Sequence, residues 1–84
     1  MKYTLAQKFE VQDKTGTNGA YKMQAVLLQT KDKYPIDVYC SAYEKVIESL
    51  DNLYEGDEIE AEIQPKSRQN NGKWYTNVIL KSIK

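Results

Sequence analysis

One stretch of this chain changes the hydrophobic period and thereby limits what it can fold into. In EKVIESLDNL, residues 44–53, the apolar residues Val46, Ile47, Leu50 and Leu53 recur at the spacing of an amphipathic helix. On either side of it the apolar residues alternate with polar ones, the period of a half-buried strand. A single helix set among strands is therefore expected. The helix should stop near Tyr54, since Glu55-Gly56-Asp57 supplies the glycine that commonly follows a helix C-terminus.

The flanking strands follow from the same alternation. Residues 3–11 place Tyr3, Leu5, Phe9 and Val11 on one parity, with Thr4, Ala6, Lys8 and Glu10 between them. Residues 13–20, DKTGTNGA, collect turn-forming residues and read as a polar loop. Residues 21–30 are apolar on both parities, which suggests a curved or bulged strand with Val26 and Leu28 inward. In residues 36–43, Ile36, Val38, Cys40 and Ala42 point inward and leave an aromatic outer face. After the helix, Ile59, Ala61 and Ile63 alternate with Glu58, Glu60 and Glu62 up to Pro65. The last strand runs from Trp74 to about Ile83, behind an Asn71-Gly72 turn. The order is βββαββ, that of a five-stranded OB-fold Greek-key barrel plugged by its helix.

Length and composition narrow the function classes. Eighty-four residues bury only about 60–65% of their unfolded surface and support one core, so residues 1–84 are read as a single domain. No apolar run approaches the roughly 20 residues of a membrane span, and the N-terminus lacks the apolar stretch of a signal peptide; a cytoplasmic protein, in a bacterial cell or phage-infected host, is expected. The chain has no histidine and one cysteine, which removes Cys/His metal sites and internal disulfides. The acidic run of strand four spaces its carboxylates about 6.5–7 Å apart, too far for one ion, and neither a histidine-activated nucleophile nor a phosphate-cradling glycine loop occurs. Neither an enzyme nor a cofactor is indicated.

Net charge is zero but segregated along the chain. Residues 1–34 carry six lysines against three acids, residues 35–63 one lysine against nine acids, and residues 64–84 five cations and no acid. On an OB frame, the cations of the strand-two region (Lys22, Lys31, Lys33) and of the four-to-five loop (Lys66, Arg68, Lys73) gather on the ligand side, while the acids fall on the helix and strand four.

Several motifs carry a family resemblance. The run from Val38 through CSAYEKVIESL to YEGD at 54–57, then IEAEI, then NGKWYTNVIL at 71–80, resembles the single-stranded-DNA-binding (SSB) proteins of bacteria and phages. It is similar in particular to a compact SSB-like type with Gly-Ala-aromatic-Lys before strand two (Gly19 to Lys22) and Asn-Gly-Lys-Trp-Tyr-Thr before strand five (Asn71 to Thr76). The resemblance implies an OB-fold, binding of single strands with little sequence preference, and oligomers. The long acidic-tipped tail of bacterial SSB proteins is not matched, which puts tail-borne recruitment of partners in doubt.

The expected site therefore combines phosphate contacts from Lys22, Lys33, Lys66, Arg68 and Lys73 with base stacking on Tyr21, Tyr34, Tyr39 and Trp74. Tyr39, on the solvent parity of strand three, leads that set, and Tyr43 is weaker. Trp74 reads equally as a base platform or as a cap on the barrel. The rival readings are a protein-interaction OB module of a replication or recombination assembly, contacted through the acidic helix and strand four, and a binder of single-stranded RNA.

Overall fold

The computed structural model describes residues 2–17 and 19–84. Five strands, β1 (Lys2–Gly16), β2 (Gly19–Thr30), β3 (Asp37–Tyr43), β4 (Glu58–Asn70) and β5 (Lys73–Ile83), close into one barrel in the order β1-β2-β3-β5-β4. A single helix, α1 (Lys45–Asp51), joins β3 to β4. This is the OB-fold expected from the order of elements. All neighbouring strands are antiparallel except β3 and β5, which meet in parallel at Ser41 and Ile79.

The core forms where alternation predicts it over most of the barrel. Leu5, Val26, Leu28, Leu50, Cys40 and Leu80 are fully enclosed, with Ala42, Ile59, Ala61 and Ile47 around them. Ile47 and Leu50 are the helix residues that plug the barrel. The helix is shorter than its apolar spacing suggests. It ends at Asp51, where Lys8 reaches across and donates to the carbonyls of Leu50 (2.8 Å) and Leu53 (2.9 Å), a cation on the negative end of the helix. Gly56 belongs to a separate turn, in which Asp57 accepts from the Tyr54 amide and the Gly56 amide donates to the Leu5 carbonyl.

Strand β1 departs most from simple alternation. Register shifts between Leu5 and Gln7 and between Lys8 and Val11 insert extra residues against β2. Each bulge reverses the parity that follows. Lys8, expected outside, turns inward to the helix, and Phe9, expected in the core, lies at the surface; the second bulge restores the original parity, and Val11, although opposite the buried Gln24, is exposed too. Ile36 is likewise exposed rather than interior, since it precedes β3 and exchanges hydrogen bonds with Thr30.

Both hairpins run beyond the barrel. The stretch expected to be a polar loop after residue 12 is largely strand: β1 pairs with β2 as far as Gly16 and Gly19, and Asn18 lies outside the described residues. Pro65 does not end β4. Among the described residues the β1 pairing of β4 stops at Glu60, so Pro65 lies where β4 is an edge strand and tolerates a residue without an N–H. The β4–β5 ribbon continues to Asn70 and Lys73 and turns through Asn71 (φ 53°) and Gly72 (φ 78°), the two positive angles of a type I′ hairpin. The ribbons overrun opposite ends of β3. β2 leaves β3 past the Met23–Tyr43 pair, while β5, parallel to β3 at Ser41, extends backward past its Asp37 end. No helix among the described residues is long and apolar enough to cross a membrane.

Candidate nucleic-acid interface

The outer face of β1, β2 and β3 carries the exposed rings. Directly opposed residues in an antiparallel pair share a face, so Leu27 stands beside Tyr39 and Met23 beside Tyr43, all outside the barrel. Tyr39 is 59% exposed. Its ring meets that of Phe9 edge to face, with centroids 5.7 Å apart and planes at 65°. Four residues further along β3, Tyr43 leans on Tyr21 at 5.9 Å and 50°. Two aromatic pairs thus stand about 13 Å apart by strand rise, with Leu27 and Met23 supplying apolar surface next to them.

Tyr21 keeps its place through a glycine. A Cβ at Gly16 would come 3.1 Å from the Tyr21 ring, so the ring lies over bare backbone. Lys14 is the direct partner of Tyr21 and shares its face, whereas Lys22 is the partner of Asp13 on the opposite face. Lys22 there borders a depression with Glu44, Lys45, Ile47, Glu48 and Asp51. The structure therefore separates Lys22 from the rings and brings Lys14 to them.

The β4–β5 ribbon sorts its residues the same way. Its register pairs Lys66 with Asn77, Arg68 with Tyr75 and Asn70 with Lys73, which sets three cations around Tyr75 on one face. Arg68, Asn70, Tyr75 and Asn77 line a shallow depression on that face. Through the Ser41–Ile79 pairing this face continues the outer surface of β3. Trp74 is opposite Gln69 on the other face, with Ser67 and Thr76, whose hydroxyls are 3.0 Å apart. Trp74 is 68% exposed and caps no barrel. Trp74 and the cations Arg68 and Lys73, expected to act together, look in opposite directions.

Charge departs from the expected division at two cations, Lys22 among the helix acids and Lys31. Lys31 donates to Glu58 at 2.7 Å, and Lys2 approaches the same carboxylate at 3.9 Å, so Lys31 belongs to the seam between the chain after β2 and the start of β4. The hydrogen bond and the charge of Lys31 hold the Glu58 carboxyl below its ordinary range. Among the described residues, Lys14, Lys66, Arg68 and Lys73 form no ion pair. Lys33 and Tyr34 occupy the β2–β3 connection, the ammonium 5.8 Å from the Tyr34 ring, which is largely exposed. Among the described residues no cluster of acids, histidine or cysteine could hold a metal ion. Cys40 is enclosed, and burial pushes its thiol up to about 11.

Phe9, Lys14 and Tyr75 escape a reading of the sequence by parity alone. The signal for Tyr75 is present in the chain: a two-residue Asn-Gly hairpin fixes Asn70 opposite Lys73, from which Arg68 opposite Tyr75 follows by counting. Phe9 and Lys14 depend on bulges and on a strand extension that no local motif announces.

No curated protein matches this chain. The sequence profile of one family, described as a domain of unknown function (DUF3127), matches residues 3–83, the whole barrel with both ribbons, and the chain accordingly belongs to that family.

Proposed function

We propose that this protein binds single-stranded DNA with little sequence preference, in replication, recombination or repair, within the cytoplasm of a bacterial cell or a phage-infected host. The observation that carries the reading is the placement of two exposed aromatic pairs, Phe9–Tyr39 and Tyr21–Tyr43, on the outer face of β1–β3, flanked by ribbons bearing Lys14 on one side and Lys66, Arg68 and Lys73 on the other. Every base has a π-face, so rings bind bases without reading their edges, while cations follow the phosphates. The resemblance to SSB proteins points the same way. Tyr75 is assigned to the ligand side of the β4–β5 ribbon, and Lys33 with Tyr34 is placed to extend the path at the Asp37 end of β3. Lys22, among the helix acids, is left out of the path.

The test is fluorescence anisotropy of labelled oligo-dT at several salt concentrations. Five cations neutralising five phosphates predict a log-log salt slope of about −3.5. Labelled oligo-rU in parallel asks whether a 2′-OH is accepted. A protein that leaves both oligonucleotides unbound at low salt contradicts the proposal and favours an interaction module.

A further inference from the structure

One glutamine stands among the apolar side chains of the barrel. Gln24, on β2, is paired with Val11 of β1 and Ala42 of β3 and is only 5% exposed, the one buried amide side chain among the described residues. Its Nε2 donates to the carbonyl oxygen of Phe9 at 2.9 Å, which sets the orientation of the amide because a carbonyl can only accept. Its Oε1 is buried without a hydrogen-bond partner. An unmet buried acceptor works against folding, and a methionine of the same length would fill the place without one. Packing alone therefore does not account for an amide at this position.

What the amide holds is a bulge. Between the Lys8–Val26 and Val11–Gln24 pairs, β1 runs through Phe9 and Glu10 while β2 offers only Ala25. An extra residue of this kind re-aims the side chains around it. Here it turns Phe9, a ring that burial would favour, out to 37% exposure and edge-on to Tyr39. A bulge shifted one residue toward the start of β1 would return Phe9 to the inward parity. We propose, on the single-strand reading above, that Gln24 is a positioning residue of the ligand site: by holding the Phe9 carbonyl from inside the barrel it fixes the bulge and keeps the Phe9 ring outside, beside Tyr39, as half of a base platform. Gln24 touches no ligand and acts through Phe9. The unmet Oε1 is what the barrel gives up for that placement.

The experiment compares Gln24→Met with the wild-type full chain, and Gln24→Leu serves as a second variant that also lacks the donor. The urea midpoint is expected at or above that of the wild type, since the unmet acceptor is gone. In proton magnetic resonance without ligand, the contacts between the Phe9 and Tyr39 rings should weaken or vanish. In the oligo-dT titration the affinity should fall by about fivefold or more, the size of a lost stacking contact, with the salt slope unchanged. Phe9→Ala should lose a similar factor, and adding Gln24→Met to it should cost nothing further, because both act through one ring. A Gln24 variant that binds as the wild type does overturns the inference, as does one that loses affinity equally in the Phe9→Ala background. So does a lowered urea midpoint with undisturbed ring contacts, for the amide would then serve stability alone. A wild-type chain that leaves oligo-dT unbound takes the single-strand reading down together with this one, whereas wild-type binding that no Gln24 variant changes overturns this one alone.

Discussion

Cys40 and Glu44 show how far single residues report on this fold. Cys40 sits in the barrel with its thiol pushed up to about 11 by burial, so at neutral pH it holds its proton and is shielded from reagents. Ellman's reagent is expected to leave it unmodified in buffer and to titrate one thiol per chain in denaturant; rapid native labelling would mean that the barrel opens at β3. Glu44, where β3 hands over to α1, has φ 43° and ψ −111°, and its side chain caps nothing. That backbone costs a side chain of order 1–3 kcal/mol, and a glycine there loses the strain at some cost in unfolded-state entropy. Glu44→Gly should therefore raise stability by roughly 1 kcal/mol in urea unfolding, whereas a loss would show that the acid makes a compensating contact. At the ligand face, Tyr39→Ala is expected to weaken oligo-dT binding by about 1–3 kcal/mol without altering the salt slope. Arg68→Ala should make that slope shallower by nearly one contact, because it removes a phosphate partner rather than a ring.

Among the elements, the β1 bulges do the most to build the site. By reversing parity they send Lys8 to the helix carbonyls and Phe9 to the surface beside Tyr39, so one irregular strand both fastens α1 and completes an aromatic pair. Lys8→Met keeps most of the packing and deletes both hydrogen bonds. It should lower stability by about 1–3 kcal/mol, the range for hydrogen bonds to charged groups. An unchanged urea midpoint would show that the helix is held by Ile47 and Leu50 alone. The same bulges mark where the sequence stops being legible. Cys40, Ala42, Ile59 and Ala61 are legible by alternation because each lies in a stretch of strand that alternates apolar with polar residues and buries one face. Phe9 is not, since an inserted residue leaves no local signature while inverting the parity up to the next bulge. The ribbons are hidden for a related reason: polar residues in a strand exposed on both sides resemble a loop, and only the partner strand distinguishes them.

For the whole molecule, a net charge of zero conceals a division into sides. Rings and unpaired cations occupy the outer face of β1–β3 and its continuation onto the β4–β5 ribbon, while Glu44, Glu48 and Asp51 of the helix region lie with Lys22 elsewhere. The division is not complete, for Lys31 and Lys2 meet Glu58 at the β1–β4 seam. Because that exposed pairing lowers the Glu58 pKa, its contribution to stability is present above the ordinary glutamate range and is lost as the pH falls through the depressed value. The central claim, that a single strand lies across the outer face of β1–β3 between the two ribbons, is tested most directly by chemical-shift mapping of the isotopically labelled protein during titration with oligo-dT. The signals of Phe9, Tyr21, Tyr39, Tyr43 and Tyr75 should move together, with those of α1 and of Glu60 and Glu62 unmoved. Shifts confined to α1 and the acidic part of β4 would contradict the account.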